Sequence, residues 1–163
     1  MSSPGCDGRR LRTRTPCAGR CSTTYGDLVC RGCKRFAHEV VDWNRYDDAA
    51  KDAVWQRLLL LRDQIVQGRI EVEDDELLSA QLTRHRIPFA VSDSPASKVW
   101  LLLRRGARHM GSLTAYGLRP LPPYQELSPR ALRDLIDADY QRLSEAHYDR
   151  YFRVPDAAGV AGR

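Results

Sequence analysis

All five cysteines of this 163-residue chain fall within its first 33 positions, and four of them form the pattern C-x3-C-x8-C-x2-C. The four are Cys17, Cys21, Cys30 and Cys33, while Cys6 stands apart in a glycine, serine and proline segment and is expected to be a free thiol. Residues Met1 to Thr15 are polar and basic and lead into no apolar segment, so no secretory signal is expected and the compartment is expected to be the reducing cytoplasm. There, two close cysteine pairs read as four ligands folding onto one metal centre and not as a disulfide framework. A gap of two or three residues lets both sulfurs of a pair face one ion from a tight loop, and Gly19 and Gly32 in the gaps relieve crowding. Between the pairs, Ser22 to Val29 is expected to form a short hairpin turning at Tyr25-Gly26-Asp27. The ligand set suits an Fe–S cluster or Zn2+ equally.

The charge distribution follows the cysteines. The net charge is 26 − 21 = +5, yet residues 1–35 carry eight basic residues against Asp7 and Asp27, or +6, which leaves −1 for all the rest. Four thiolates around Zn2+ leave a site at about −2. Arg20, Arg31, Lys34 and Arg35 alternate with the ligands, and their charges and backbone amides are expected to support the sulfurs. The remaining basic excess is the arm Arg9, Arg10, Arg12 and Arg14, which could contact nucleic-acid phosphate but reads more simply as a solvated, disordered tail. His38, five residues past Cys33, reads as a polar residue on a first helical turn, and His85, His109 and His147 are scattered. No phosphate-binding glycine loop, nucleophile elbow or zinc-protease helix is present in the sequence, so catalysis is not expected.

Beyond the cysteines the periodicity is helical. Phe36 to Val41 suggests a short helix, followed by Trp43 as a cap on a small core. Asp47 or Asp48 is expected to cap a helix reaching Gln67 and ended by Gly68, with Val54, Leu58, Leu61 and Ile65 on one apolar face. The acidic run Glu71 to Glu76 is expected to be a solvated helix start, leading into a helix through Leu77, Leu78, Leu82 and His85 that breaks at Pro88. Ser94-Pro95 opens a further helix that ends in the basic cluster Arg104, Arg105 and Arg108, suited to the helix dipole and to contact with an anion. Gly111 to Tyr124 reads as a proline- and glycine-rich linker or elbow. Ser128-Pro129 caps a long helix whose stripe is Leu132, Leu135, Ile136, Tyr140, Leu143 and His147, extended by Tyr148, Tyr151 and Phe152 as core or as a partner surface. The longest apolar run, Val99 to Leu103, is far short of the roughly 20 residues of a bilayer span.

One set of residues carries a family resemblance. Cys17-x3-Cys21, Cys30-Arg31-Gly32-Cys33-Lys34-Arg35, Glu39-Val40-x2-Trp43 and Ala53-Val54-Trp55-x-Arg57-Leu58 together resemble the bacterial domain-of-unknown-function family 1289, labelled a predicted Fe–S protein. The resemblance covers about residues 16–62 and implies a small cysteine-ligated metal domain in the bacterial cytoplasm.

The expected organisation is therefore mostly α: a disordered basic arm (1–15), a four-cysteine metal-binding domain with a zinc-ribbon or knuckle-like hairpin (16–67), a helical region (68–153) and a disordered tail (154–163). The expected function is non-catalytic metal binding, through an Fe–S cluster or Zn2+, in a protein that engages a protein partner and no membrane. A redox Fe–S protein and a nucleic-acid-binding zinc knuckle are the alternatives.

Overall fold

The computed structural model describes residues 15–153. The arm residues Arg9, Arg10, Arg12 and Arg14, together with Cys6 and the segment 154–163, lie outside the described residues. Five α-helices and one two-stranded sheet make up the regular structure among those described: α1 (Ala37–Asp42), α2 (Asp48–Gln67), β1 (Ile70–Val72), α3 (Asp75–Arg84), α4 (Pro95–Gly106), β2 (Leu118–Pro120) and α5 (Pro129–Phe152). The chain is mostly α, as the periodicity requires. None of its described helices is long and apolar enough to cross a membrane.

The helix starts follow their capping residues. Asp47 accepts from the amide of Ala50 at 2.8 Å, Asp74 from Leu77 at 2.8 Å, Ser94 from Ser97 at 3.0 Å and Ser128 from Ala131 at 3.1 Å. Each side chain satisfies a donor that the first helical turn leaves open. Pro95 and Pro129 then occupy the first helical position, where a missing N–H costs nothing. At the other end, Gly68 closes α2 and Arg86 closes the turn after α3 with φ +56°.

Helix α2 is the centre of the molecule. It packs against α4 and α5, and α4 packs in turn against α3 and α5. Val54, Leu58, Leu61 and Ile65 of α2, Val99, Leu102 and Leu103 of α4, and Leu132, Ile136 and Tyr140 of α5 meet in one buried cluster that also takes in Trp43. The Tyr140 hydroxyl, carried inside by that packing, donates to the Leu58 carbonyl at 2.7 Å. In the stripe of α5, Leu135, Leu143 and His147 are only half-buried, while Tyr151 and Phe152 are exposed.

Two segments differ from their sequence reading. Glu71 does not start a helix: it lies in β1, which pairs antiparallel with β2 in the register Ile70↔Pro120, Glu71↔Arg119 and Val72↔Leu118. The helix begins only at Asp75, and the stretch 111–124 is not a bare linker, since it supplies β2 and a 3-10 turn at Thr114–Tyr116. Arg119 donates to Glu71 and to Glu73, at 2.6 Å in the second case, so the acidic run is held by a cross-strand cation. Gly117, with φ +71°, lies so near the Asp74 backbone that an added Cβ would stand 2.6 Å from its carbonyl oxygen, and this closes the sheet against the start of α3.

Candidate metal centre

The turn of the cysteine segment is displaced from the expected place. Ser22–Tyr25 is a 3-10 helix capped by Gly26 at φ +97°, not a strand of a hairpin. Serine and threonine in succession satisfy their own local backbone better than a ladder, and the glycine ends the turn. The chain reverses instead around the second cysteine pair. Val29 bridges Phe36 antiparallel, the Cys30 amide donates to the Arg35 carbonyl at 2.8 Å, and the Lys34 amide donates to the Cys30 carbonyl at 2.8 Å. Lys34 takes the left-handed position of this turn, φ +64°.

This tight reversal aims backbone amides at sulfur. The Cys30 side chain is buried, which opposes its ionisation, but hydrogen bonds from the backbone of Cys33, Ser22 and Gly32 and from the Cys33 side chain outweigh burial and bring its pKa down to about 7. Cys33 goes the other way: burial pushes its thiol up, against the Arg35 guanidinium, whose Nε donates to Cys33 Sγ at 3.3 Å, and the Arg35 amide. The first cysteine loop touches the second through Arg20 and Ser22. Cys30 Sγ lies 3.6 Å from the Arg20 carbonyl oxygen, the Arg31 amide donates to Ser22 Oγ at 2.8 Å, and a Cβ on Gly32 would stand 2.6 Å from that same Arg20 oxygen. Only glycine allows the two loops to touch in this way.

Cys17 is exposed and Cys21 half-buried, with Cys17 Sγ accepting from the Gly19 amide at 3.4 Å and Cys21 Sγ 2.9 Å from Thr23 Oγ1. All four are free thiols. Among the described residues no three His, Cys, Asp or Glu side chains are grouped so as to hold a metal ion. The donor set nonetheless has the chemistry that a thiolate-bound metal requires around Cys30 and Cys33: amides at the sulfur, a cation beside it and a glycine-dependent loop contact.

The four basic residues predicted to support the sulfurs divide by position. Arg35 is buried, touches Cys33 Sγ, and sets its guanidinium 4.8 Å from the Trp43 ring centroid. Arg20 contributes its carbonyl. Arg31 reaches outward to Asp27 at 3.0 Å. Lys34, only 1% exposed, donates to the Arg31 carbonyl and pairs with Asp137 of α5, 3.1 Å away.

What mounts this segment on the helices is a set of contacts spaced too far apart in sequence to be read there. Besides Lys34–Asp137, Gln141 Nε2 of α5 donates to the Val29 carbonyl at 3.3 Å, and Phe36 meets Tyr148 and Phe152 edge-on at 5.3 and 5.4 Å. His38 joins the same aromatic group, 4.8 Å from Phe152, a place on α1 that matches its reading as a helical-turn residue. Glu39 and Arg57 form a paired contact between α1 and α2.

Residues 15–62 match the family model DUF1289, described as a protein of unknown function. The DUF1289 segment thus runs from the first cysteine loop into the middle of α2, and it includes both partners of the Glu39–Arg57 contact. No curated protein and no solved structure matches the chain.

Proposed function

We propose that Cys17, Cys21, Cys30 and Cys33 hold one metal centre, an Fe–S cluster or Zn2+, and that the protein acts by binding a protein partner and not by catalysis. The reading is carried by the contact of the two cysteine loops, with Cys30 Sγ 3.6 Å from the Arg20 carbonyl oxygen and Gly32 packed against that oxygen, and with backbone donors from Cys33, Ser22 and Gly32 lowering the Cys30 pKa to about 7. Such donors favour thiolate over thiol, and the thiolate is the form that ligates metal. A thiol with no ligating role gains nothing from so many amides in a segment that buries few apolar groups.

The metal would supply folding energy to the loops on either side of the 3-10 turn Ser22–Tyr25, which have little core of their own. The helical layer then serves as the platform, because Lys34, Gln141, Phe36 and Arg57 tie the cysteine turn to α2 and α5. A cytoplasmic location suits this chemistry, since free thiols persist there.

The test is anaerobic purification followed by a visible spectrum and elemental analysis of one sample. Broad visible absorbance with iron and acid-labile sulfide in step identifies a cluster, whereas a colourless sample with about one zinc per chain identifies a structural site. Absence of any bound metal, together with unchanged protease resistance in a Cys30→Ser, Cys33→Ser double variant, would overturn the proposal.

A further inference from the structure

Three cations are buried among the described residues: Lys34, Arg35 and Lys98. Two of them have a carboxylate beside them. Lys34 Nζ lies 3.1 Å from Asp137 of α5, and Lys98 Nζ of α4 lies 2.7 Å from Asp75 of α3. Arg35, only 3% exposed, pairs with no carboxylate among the described residues. Its guanidinium meets a sulfur and a ring instead, with Nε donating to Cys33 Sγ at 3.3 Å and the Trp43 centroid 4.8 Å away. Lys51 Nζ stands 6.0 Å from the same ring, so that indole already faces a second cation.

A guanidinium does not shed its proton in a protein, so burial leaves Arg35 with a permanent charge. Burying a charge without a counter-ion costs more than a contact with a ring recovers. A neutral thiol is a weak acceptor and adds little. A thiolate is a full anion at hydrogen-bond distance and forms a charge-assisted bond. Water does not replace it. An arginine-lined cleft of about 580 Å3 reaches Cys33, with Arg20, Arg31, Arg62, Arg104 and Arg133 on its wall, but Arg35 is not on that wall.

We infer that Arg35 is the internal counter-cation of the metal centre, a positioning residue whose buried charge fits the site to an anionic, four-thiolate centre. The inference rests on the metal reading above and assigns one residue the charge balance of that site. Four thiolates leave Zn2+ at about −2, and Arg35 brings the sum to about −1. The basic residues around the cysteines thereby separate in role. Lys34 is matched by Asp137 and Arg31 by Asp27, whereas Arg35 delivers its charge to sulfur.

Co2+ titration of the full chain after metal removal tests this, with thiolate-to-cobalt charge-transfer absorbance reporting ligation and displacement by Zn2+ giving relative affinity. Arg35→Gln keeps a hydrogen-bond donor and removes the charge, while Arg35→Lys keeps the charge and removes the fork. Arg35→Gln should bind about 10–100-fold more weakly than the parent, the usual effect of losing a group that supports a metal ligand, and Arg35→Lys should stay within about threefold. Urea unfolding of the metal-free chain is the second readout. There Arg35→Gln should be no less stable than the parent, because it removes a buried charge that lacks its anion. Equal Co2+ affinity in the parent and Arg35→Gln would overturn the inference, as would Arg35→Lys binding as weakly as Arg35→Gln. A metal-free Arg35→Gln chain that is unfolded or less stable than the parent would make Arg35 a packing residue and overturn it too. Each of these results leaves the metal reading in place, whereas a parent chain that binds neither ion through sulfur would overturn both.

Discussion

Arg57 grips the carboxylate of Glu39 with both arms, Nη1 to Oε1 at 2.6 Å and Nη2 to Oε2 at 2.8 Å, across the gap between α2 and α1. The same Glu39 oxygen accepts the Phe36 amide at 2.9 Å, and the Arg57 guanidinium lies 3.7 Å from the centroid of the Phe36 ring. One cation therefore fixes the exit of the cysteine turn, the start of α1 and the face of α2 together. Glu39 is 5% exposed, so its charge is tolerable only while that partner is present.

Arg57→Ala should accordingly destabilise the protein by about 3–5 kcal/mol, the cost of leaving a buried carboxylate unpaired. Adding Glu39→Gln to it should recover part of the loss, because the uncompensated charge is then gone. Chemical denaturation of the two variants checks this, and a single variant within about 0.5 kcal/mol of the parent would contradict it.

Gly32→Ala is expected to lower metal content and to loosen residues 17–33, because the added Cβ would meet the Arg20 carbonyl at 2.6 Å and a backbone oxygen cannot step aside cheaply. Gly68→Ala is the control. Its Cβ would meet nothing nearer than 3.6 Å, and its effect on metal content should be negligible. Metal analysis with limited proteolysis separates the outcomes.

The Cys30 thiol sets a pH dependence for the metal-free protein. Its folded pKa of about 7 lies below the ordinary thiol value of about 8.5 expected in the unfolded chain. A depressed acid contributes stability that is present above the unfolded value and lost as pH falls through about 7. The melting temperature of the chelator-treated protein should thus drop between about pH 9 and pH 6, and Cys30→Ser should flatten that drop. An identical pH profile in the variant would rule out Cys30 as the titrating group.

Tyr140→Phe removes the hydroxyl that donates to the Leu58 carbonyl at 2.7 Å and leaves the ring packed. The expected loss is about 1 kcal/mol, since Leu58 lies within α2 and its carbonyl keeps a place in the helix ladder. Urea unfolding with an unchanged slope is the check, and a changed slope would mean that the substitution disturbs more than this bond.

The helices were legible in the residues because their causes are local. Asp47, Ser94 and Ser128 cap donors three positions ahead, Gly68 ends α2, and Val54, Leu58, Leu61 and Ile65 recur on one face whatever the rest of the chain does. The cysteine spacing was equally plain, as were Glu39 and Arg57 as members of one motif.

Other features lie in contacts that no short window contains. Strands of three residues, Ile70–Val72 and Leu118–Pro120, are too short for an alternating pattern to register, and each exists only because the other pairs with it. The reversal belonged to Cys30–Arg35 and not to Ser22–Val29, since Val29 and Phe36 come together when α5 supplies Gln141, Tyr148 and Phe152 to receive them. The arginine cleft is the clearest case. Arg20, Arg31, Arg62, Arg104 and Arg133 are scattered along most of the described chain, and only the packing of α2, α4 and α5 beneath the cysteine loops puts all five on the wall of one cavity. By itself the sequence determined the helices and the cysteine spacing, which depend on near neighbours. Tertiary structure alone decided which of those charges and rings share a cavity, because that depends on how buried faces meet.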